Sequence, residues 1–198
     1  IVETRPAILR QVADRYGFKH AFESLDLALA AGPWHSAVIA TPAHTHVPIA
    51  LRLLERRLHL LIEKPLSTTL DGVDALSAAV ARSGLVAGVA YVYRAHPLAQ
   101  RMRELIASGR FGEPLQLYLT AGQHFPTYRP AYREIYYADR RAGGGAIQDA
   151  LTHLLNLGEW LIGPIDRLAA DAAHQALEGV EVEDTVHLIA RQRGALAS

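Results

Sequence analysis

Three short apolar runs punctuate the first half of the chain: Ala37-Val38-Ile39-Ala40, Leu58 to Ile62, and Val86 to Val92. Runs of this length, bounded by turn residues, have the pattern of buried strands. Between them apolar residues recur at helical spacing. Val47, Ala50, Leu51 and Leu54 form one stripe, and Asp71 to Arg82 forms a second amphipathic helix closed by Gly84. Upstream, Pro6 opens a helix with Ile8, Val12 and Tyr16 on one face and Gly17 as its stop, and Ser24 caps a short helix over Leu25 to Ala31. Strands alternating with helices across short connections predict parallel strands with helical crossovers, one half of a doubly wound α/β sheet.

The pattern changes after residue 94. A helix is predicted over Pro97 to Ser108 and an alternating strand over Leu115 to Ala121. The segment from Gly122 to Ala142 is polar, rich in aromatics and without clear periodicity, which is long for a compact domain and typical of functional loops. Gly143-Gly144-Gly145 then leads into a helix running to about Ile162, and strands follow near Ile165 to Ala170 and Thr185 to Arg191. Residues 1–94 therefore read as one half of a doubly wound α/β domain, and residues 95–198 as the start of an α+β domain with a mainly antiparallel sheet. Ile1-Val2-Glu3 reads as the end of a strand and Gln192-Arg193-Gly194 as a turn out of the last one, so the chain is expected to be an internal piece of a longer protein.

Charge and composition narrow the partners. Lysine plus arginine and aspartate plus glutamate number 20 each, so nothing favours nucleic acid or an anionic membrane. No cysteine is present, which excludes disulfides, thiolate metal sites and a cysteine nucleophile and is compatible with the cytoplasm, the compartment expected here. No apolar run approaches the ~20 residues of a membrane span.

Ligands of doubly wound sheets sit beyond the carboxyl ends of the strands, where Thr41-Pro42, Glu63-Lys64-Pro65 and Tyr93-Arg94 fall. Lys64 at a strand end can donate to a ligand, and Pro65 restricts its backbone; from the tripeptide alone, a surface ion pair with a turn proline is the stronger reading. Asp149 and His153 share a helical face, a pairing that suits acid–base work on a hydroxyl but also simple packing. His44 and His46 have a spacing seen in metal sites, but no third ligand is evident, and the segment reads better as a turn lining the crevice. An acid at the end of the second strand of a dinucleotide fold can hold the adenosine ribose, but Glu3 by itself carries almost no weight.

The order of these segments is more specific than any one of them. "VIATPAHTHVPIALRLLERRLHLLIEKPLSTT", "YRAHPLAQRMRELIASGRFGEP", "GGGAIQDALTHLLNLGEWLIGP" and "VEVEDTVHLIARQRG" together resemble the Gfo/Idh/MocA family of glucose–fructose oxidoreductase and inositol dehydrogenase across essentially the whole chain. The resemblance implies a Rossmann-type domain joined to an open antiparallel-sheet domain, with a nicotinamide ring at the junction and hydride transfer to or from a secondary alcohol of a sugar, inositol or related polyol. Lys64, Asp149 and His153 would be catalytic. Glu3, Thr41, Pro42, His46, Glu63 and Lys64 would hold the cofactor, with Glu3 pointing to NAD and Arg5 leaving NADP open. Tyr93, Arg94, Arg129, Tyr132 and Tyr136 would face the substrate. No metal is implied, and relatives suggest a homo-oligomer for the full-length protein. Two rivals on the same fold are an NAD-dependent glycoside hydrolase and a non-catalytic sugar- or dinucleotide-sensing protein. The 198 residues contain no Gly-x-Gly-x-x-Gly loop to receive a pyrophosphate. By themselves they are expected to bind NADH weakly, and submicromolar affinity in a fluorescence titration would contradict this.

Overall fold

The computed structural model describes all 198 residues. Helices α1 (Pro6–Tyr16) and α2 (Leu25–Ala30) precede β1 (Ser36–Ile39). Helix α3 (His46–Glu55) connects β1 to β2 (His59–Ile62), and α4 (Val73–Ser83) connects β2 to β3 (Ala87–Val89). The three strands are parallel and lie in the order β1-β2-β3, the arrangement the alternating pattern predicts. Val2 and Phe22 form a separate parallel bridge beside them. Gly17 ends α1 in the left-handed region, and the Ser24 hydroxyl caps α2 by accepting from the Leu27 N–H.

The first two runs are buried on one face only, and the third is at most half-buried. Ile39, Leu60 and Ile62 pack against Val47, Ala50, Leu53 and Leu54 of α3 and Leu76 of α4. Side chains alternate across a strand, so Val38 and Leu61 point the other way and are 67% and 46% exposed. Val38 lines the cleft described below.

The second half follows α5 (Pro97–Ala107) with β4 (Gln116–Leu117), α6 (Phe125–Tyr128), a π-helical turn over Ile147–Leu151, α7 (Thr152–Leu161), β5 (Ile165–Ala173), β6 (Thr185–Gln192) and β7 (Ala195–Ala197). The sheet order is β4-β7-β6-β5. The β5–β6 and β6–β7 pairs are antiparallel and the β4–β7 pair is parallel. β4 is shorter than the predicted strand over Leu115 to Ala121 because its only partner, β7, spans three residues. No helix is long and apolar enough to cross a membrane.

The segment 122–142 is more ordered than its lack of periodicity suggests. Phe125, Tyr132 and Tyr137 form a core cluster with Leu177, Val180 and Val182. Glu183, 5% exposed, ties this cluster to the helix that follows the glycines. Its Oε1 accepts from the Ile147 N–H at 3.1 Å, its Oε2 accepts from Arg140 at 2.6 Å, and its carbonyl accepts from the Ala146 N–H at 2.8 Å. A helix start has N–H groups without helical partners, and here a carboxylate from a distant segment serves them.

The neighbouring Asp184 braces the turn before β6. Burial alone would raise its pKa, but the N–H groups of Leu177, Ala176 and Gln175 and the Thr185 hydroxyl override burial and bring it to about 2. A depressed carboxyl contributes stability that is present above its unfolded value and lost as pH falls through the folded one. Asp184→Asn should therefore cost about 2 kcal/mol at neutral pH, with the gap to the parent closing as pH falls from about 4 toward 2. Urea unfolding at pH 7 and pH 3 measures both.

Candidate active site

The turns that leave β1 and β2 are locked to each other. The imidazole of His46, 1% exposed at the start of α3, lies between two carbonyl oxygens, with Nε2 2.7 Å from that of Thr41 and Nδ1 2.9 Å from that of Pro65. The Thr45 hydroxyl donates to the Pro42 carbonyl at 2.7 Å, so its oxygen is left to accept from the Thr41 hydroxyl at 2.6 Å. His46 thus ties the two turns together from the start of α3, almost wholly buried at the margin of the cleft. Thr41, Pro42 and Glu63 are exposed and border the cleft.

From the end of β2, Lys64 reaches the second half of the chain. Its Nζ donates to the backbone carbonyl of Asp149 at 2.6 Å and to Asp149 Oδ1 at 2.8 Å, with the two side chains only 16% and 12% exposed. An ammonium has three N–H donors. Asp149 occupies two, and one remains. The same Oδ1 accepts from Tyr136 Oη at 2.7 Å.

No hydrogen bond joins Asp149 to His153, although they stand four residues apart. Asp149 lies in the π-helical turn and its carboxylate is taken by Lys64 and Tyr136. The His153 ring lies edge-on to Tyr91 and Tyr93, with centroids 6.0 and 5.6 Å away. Its Nδ1 is buried without a hydrogen-bond partner. A charged ring would sit among these apolar faces with little water to solvate it. Burial, and then the Lys64 charge, lower the His153 pKa, while Asp149 and Glu63 oppose them. The imidazole is neutral at pH 7 and free to take a proton.

The glycines let these parts converge. A Cβ on Gly144 would fall inside the carbonyls of Tyr136 and Tyr137, and one on Gly145 would fall inside the Glu183 carboxylate. Gly145 also adopts φ +89°, a region disfavoured for residues with a side chain.

A cleft of about 2550 Å³ runs from Glu3 to His153 and is lined by Lys64, Tyr93, Arg129, Tyr136 and Asp149. Two of the expected substrate residues lie elsewhere. Tyr132 is 2% exposed and its hydroxyl donates to the Glu178 carbonyl at 2.7 Å, so its ring is core. Arg94 donates to Asn156 Oδ1 at 2.8 Å and joins β3's exit to α7. Tyr91, which no motif singled out, makes the parallel contact, its hydroxyl 3.0 Å from that of Thr152. Glu183 was also missed, although a charged residue set among valines in "VEVED" was a signal. At the far end, Arg5 holds both oxygens of Glu3 at 2.9 and 3.0 Å, and this contact with the Arg5 N–H lowers the Glu3 pKa to about 2. An ionised carboxylate suits ribose hydroxyls. With an acid at one end, a lysine and histidine at the other and one groove between them, these residues fit a nicotinamide dinucleotide.

Comparison with known proteins accords with this geometry. Residues 1–91 match the family model described as "Oxidoreductase family, NAD-binding Rossmann fold", and residues 99–198 match the GFO/IDH/MocA C-terminal domain. Levoglucosan dehydrogenase of Pseudarthrobacter phenanthrenivorans is 29% identical over 86% of the chain and 44% of its own length. The NADP-dependent D-xylose 1-dehydrogenase 2 of Haloferax volcanii is 28% identical over 80% of the chain and 47% of its own. The chain thus spans about half the length of the curated relatives it matches. Among solved structures, the WlbA dehydrogenase of Bordetella pertussis in complex with NADH and UDP-GlcNAcA superposes over the whole chain and 58% of its own, with TM-score 0.85 and 28% identity. Levoglucosan dehydrogenase with NADH and levoglucosan does so over the whole chain and 55% of its own, with TM-score 0.87 and 28% identity.

The charge balance around His153 can be checked directly. Lys64→Met removes a positive charge and leaves Asp149 less compensated, and both changes favour the imidazolium. An NMR titration of the His153 ring should show its pKa rising relative to the parent; an unchanged or lowered value would contradict the arrangement.

Proposed function

Because the chain belongs to the Gfo/Idh/MocA family of oxidoreductases, we propose that the full-length protein is an NAD(P)-dependent dehydrogenase acting on a secondary alcohol of a sugar or related polyol. One observation carries the reading. Lys64, projected from the carboxyl end of a parallel strand, is bonded across to Asp149 one helical turn before a neutral histidine whose ring edges the same cleft.

Glu3, Thr41, Pro42 and Glu63 would hold the cofactor, whose nicotinamide ring would supply an acceptor for the hydride of the carbinol carbon. His153 takes the hydroxyl proton on Nε2, the nitrogen that is neither sealed nor bonded to protein. The remaining N–H of Lys64 holds the reacting oxygen and favours its alkoxide character. Asp149 acts mainly on Lys64, fixing its direction with two contacts, and influences His153 only through its charge. Tyr93 and Arg129 border the space for the rest of the substrate. The ionised Glu3 favours NAD, and the Arg5 guanidinium beside it gives a 2′-phosphate a partner, so NADP is the second cofactor to try. Retention of Lys64, Asp149 and His153 in one cluster favours an enzyme over a sensing protein, which needs no base.

In the full-length protein, His153→Ala and Lys64→Ala should each lower turnover of the best polyol in a panel by about 10²–10⁴-fold, with folding unchanged by circular dichroism. Net NADH formation separates dehydrogenase from glycoside hydrolase. Undiminished turnover in both variants would overturn the assignment.

A further inference from the structure

Tyr136 is the one hydroxyl on the cleft wall that is already committed to the catalytic cluster. It comes from the segment 122–142, outside every motif of the parallel half. Its Oη donates to the same Asp149 oxygen that receives Lys64, yet its ring is 40% exposed and lines the cleft. Its backbone is seated in the notch that Gly144 leaves open, so its place is fixed from behind as well as by the hydrogen bond.

A phenol has one hydrogen to donate. With that hydrogen on Asp149, toward a ligand Tyr136 is an acceptor only. Lys64 presents the opposite character, a donor for the reacting oxygen. Both heads hydrogen-bond one carboxylate oxygen, so they stand no further apart than those two bonds allow. Two oxygens on neighbouring carbons of one ligand are close enough together to engage both. One is the oxygen held by Lys64, and the other must bring a hydrogen to Tyr136.

Resting on the dehydrogenase reading above, we infer that Tyr136 is a specificity-determining residue that selects a vicinal diol by accepting a hydrogen bond from the hydroxyl next to the carbon being oxidised. Burial of the ring, and then the Asp149 contact, raise the Tyr136 pKa above its ordinary value, so the phenol remains a donor to Asp149 throughout the working range. An ether, a deoxy carbon or a carbonyl beside the reacting carbon has no hydrogen to offer and leaves the phenol oxygen unpaired, a cost of the kind that hydrogen-bonding sites use to reject analogues.

The test uses the full-length protein with levoglucosan, D-xylose and myo-inositol, each beside its monodeoxy analogues, and reads kcat/KM for parent and Tyr136→Phe. In the parent, removing the hydroxyl adjacent to the oxidised carbon should lower kcat/KM by at least ~10-fold, more than removing a remote one. In Tyr136→Phe that ratio should fall to within about 3-fold, whatever the variant's overall loss. The inference is overturned if the parent does not discriminate, or if the ratio persists in Tyr136→Phe because the phenol only positions Asp149. If the parent oxidises none of the polyols, the dehydrogenase reading itself fails and takes this inference with it. Oxidation with unaltered discrimination sinks the inference alone.

Discussion

The contact between Lys64 and Asp149 is the constraint around which the molecule is organised. It joins residues 85 positions apart, one at the end of a parallel strand and one in a turn of the second domain. Both groups are largely withdrawn from water, where removing one partner of an ion pair strands the other at a cost of several kcal/mol. Two oxygens of Asp149 receive the ammonium, so the lysine cannot swing. Its direction is set jointly by the strand behind it and the helix in front. The His46 imidazole fixes the turn that carries the lysine, and the Arg94–Asn156 and Tyr91–Thr152 contacts join the strand ends to the helix.

Electrostatics at the junction follow from that pairing. A lysine whose charge is matched by one aspartate still lies near enough to His153 to disfavour a second cation. The burial of Nδ1 against tyrosine rings acts in the same direction. The site therefore holds one compensated charge and one neutral base. An imidazole in that state can accept a proton without first losing one.

The parallel half was legible because its signal is local: apolar runs of strand length, helical stripes, and turn residues at each end. Its site residues were legible for the same reason, since the topology puts strand ends at the crevice whatever their side chains. What escaped depends on long-range partners. Tyr132 and Tyr136 are four residues apart in one aromatic segment, and nothing near them in sequence tells that the first fills a core with Leu177 and Val180 while the second meets Asp149. The hold of His46 on the carbonyl of Pro65, 19 positions away, cannot be seen in "TPAHTH". The direct Asp149–His153 contact suggested by helical spacing fails because a π-turn intervenes and because Lys64 and Tyr136 reach the carboxylate.

The notch at Gly144 divides the site into parts with different freedom to change. Lys64, Asp149 and His153 sit on a strand end and a helix whose positions are fixed by packing on both sides. The segment carrying Tyr136 meets them through two backbone carbonyls in the notch and one phenol hydrogen bond, while its core with Leu177, Val180 and Val182 and the Arg140–Glu183 ion pair anchor it separately. Replacements elsewhere in that segment can reshape the far wall of the cleft while Lys64, Asp149 and His153 keep their own supports. One loop draws the outline of the cleft, and a separate frame holds the cluster at its floor.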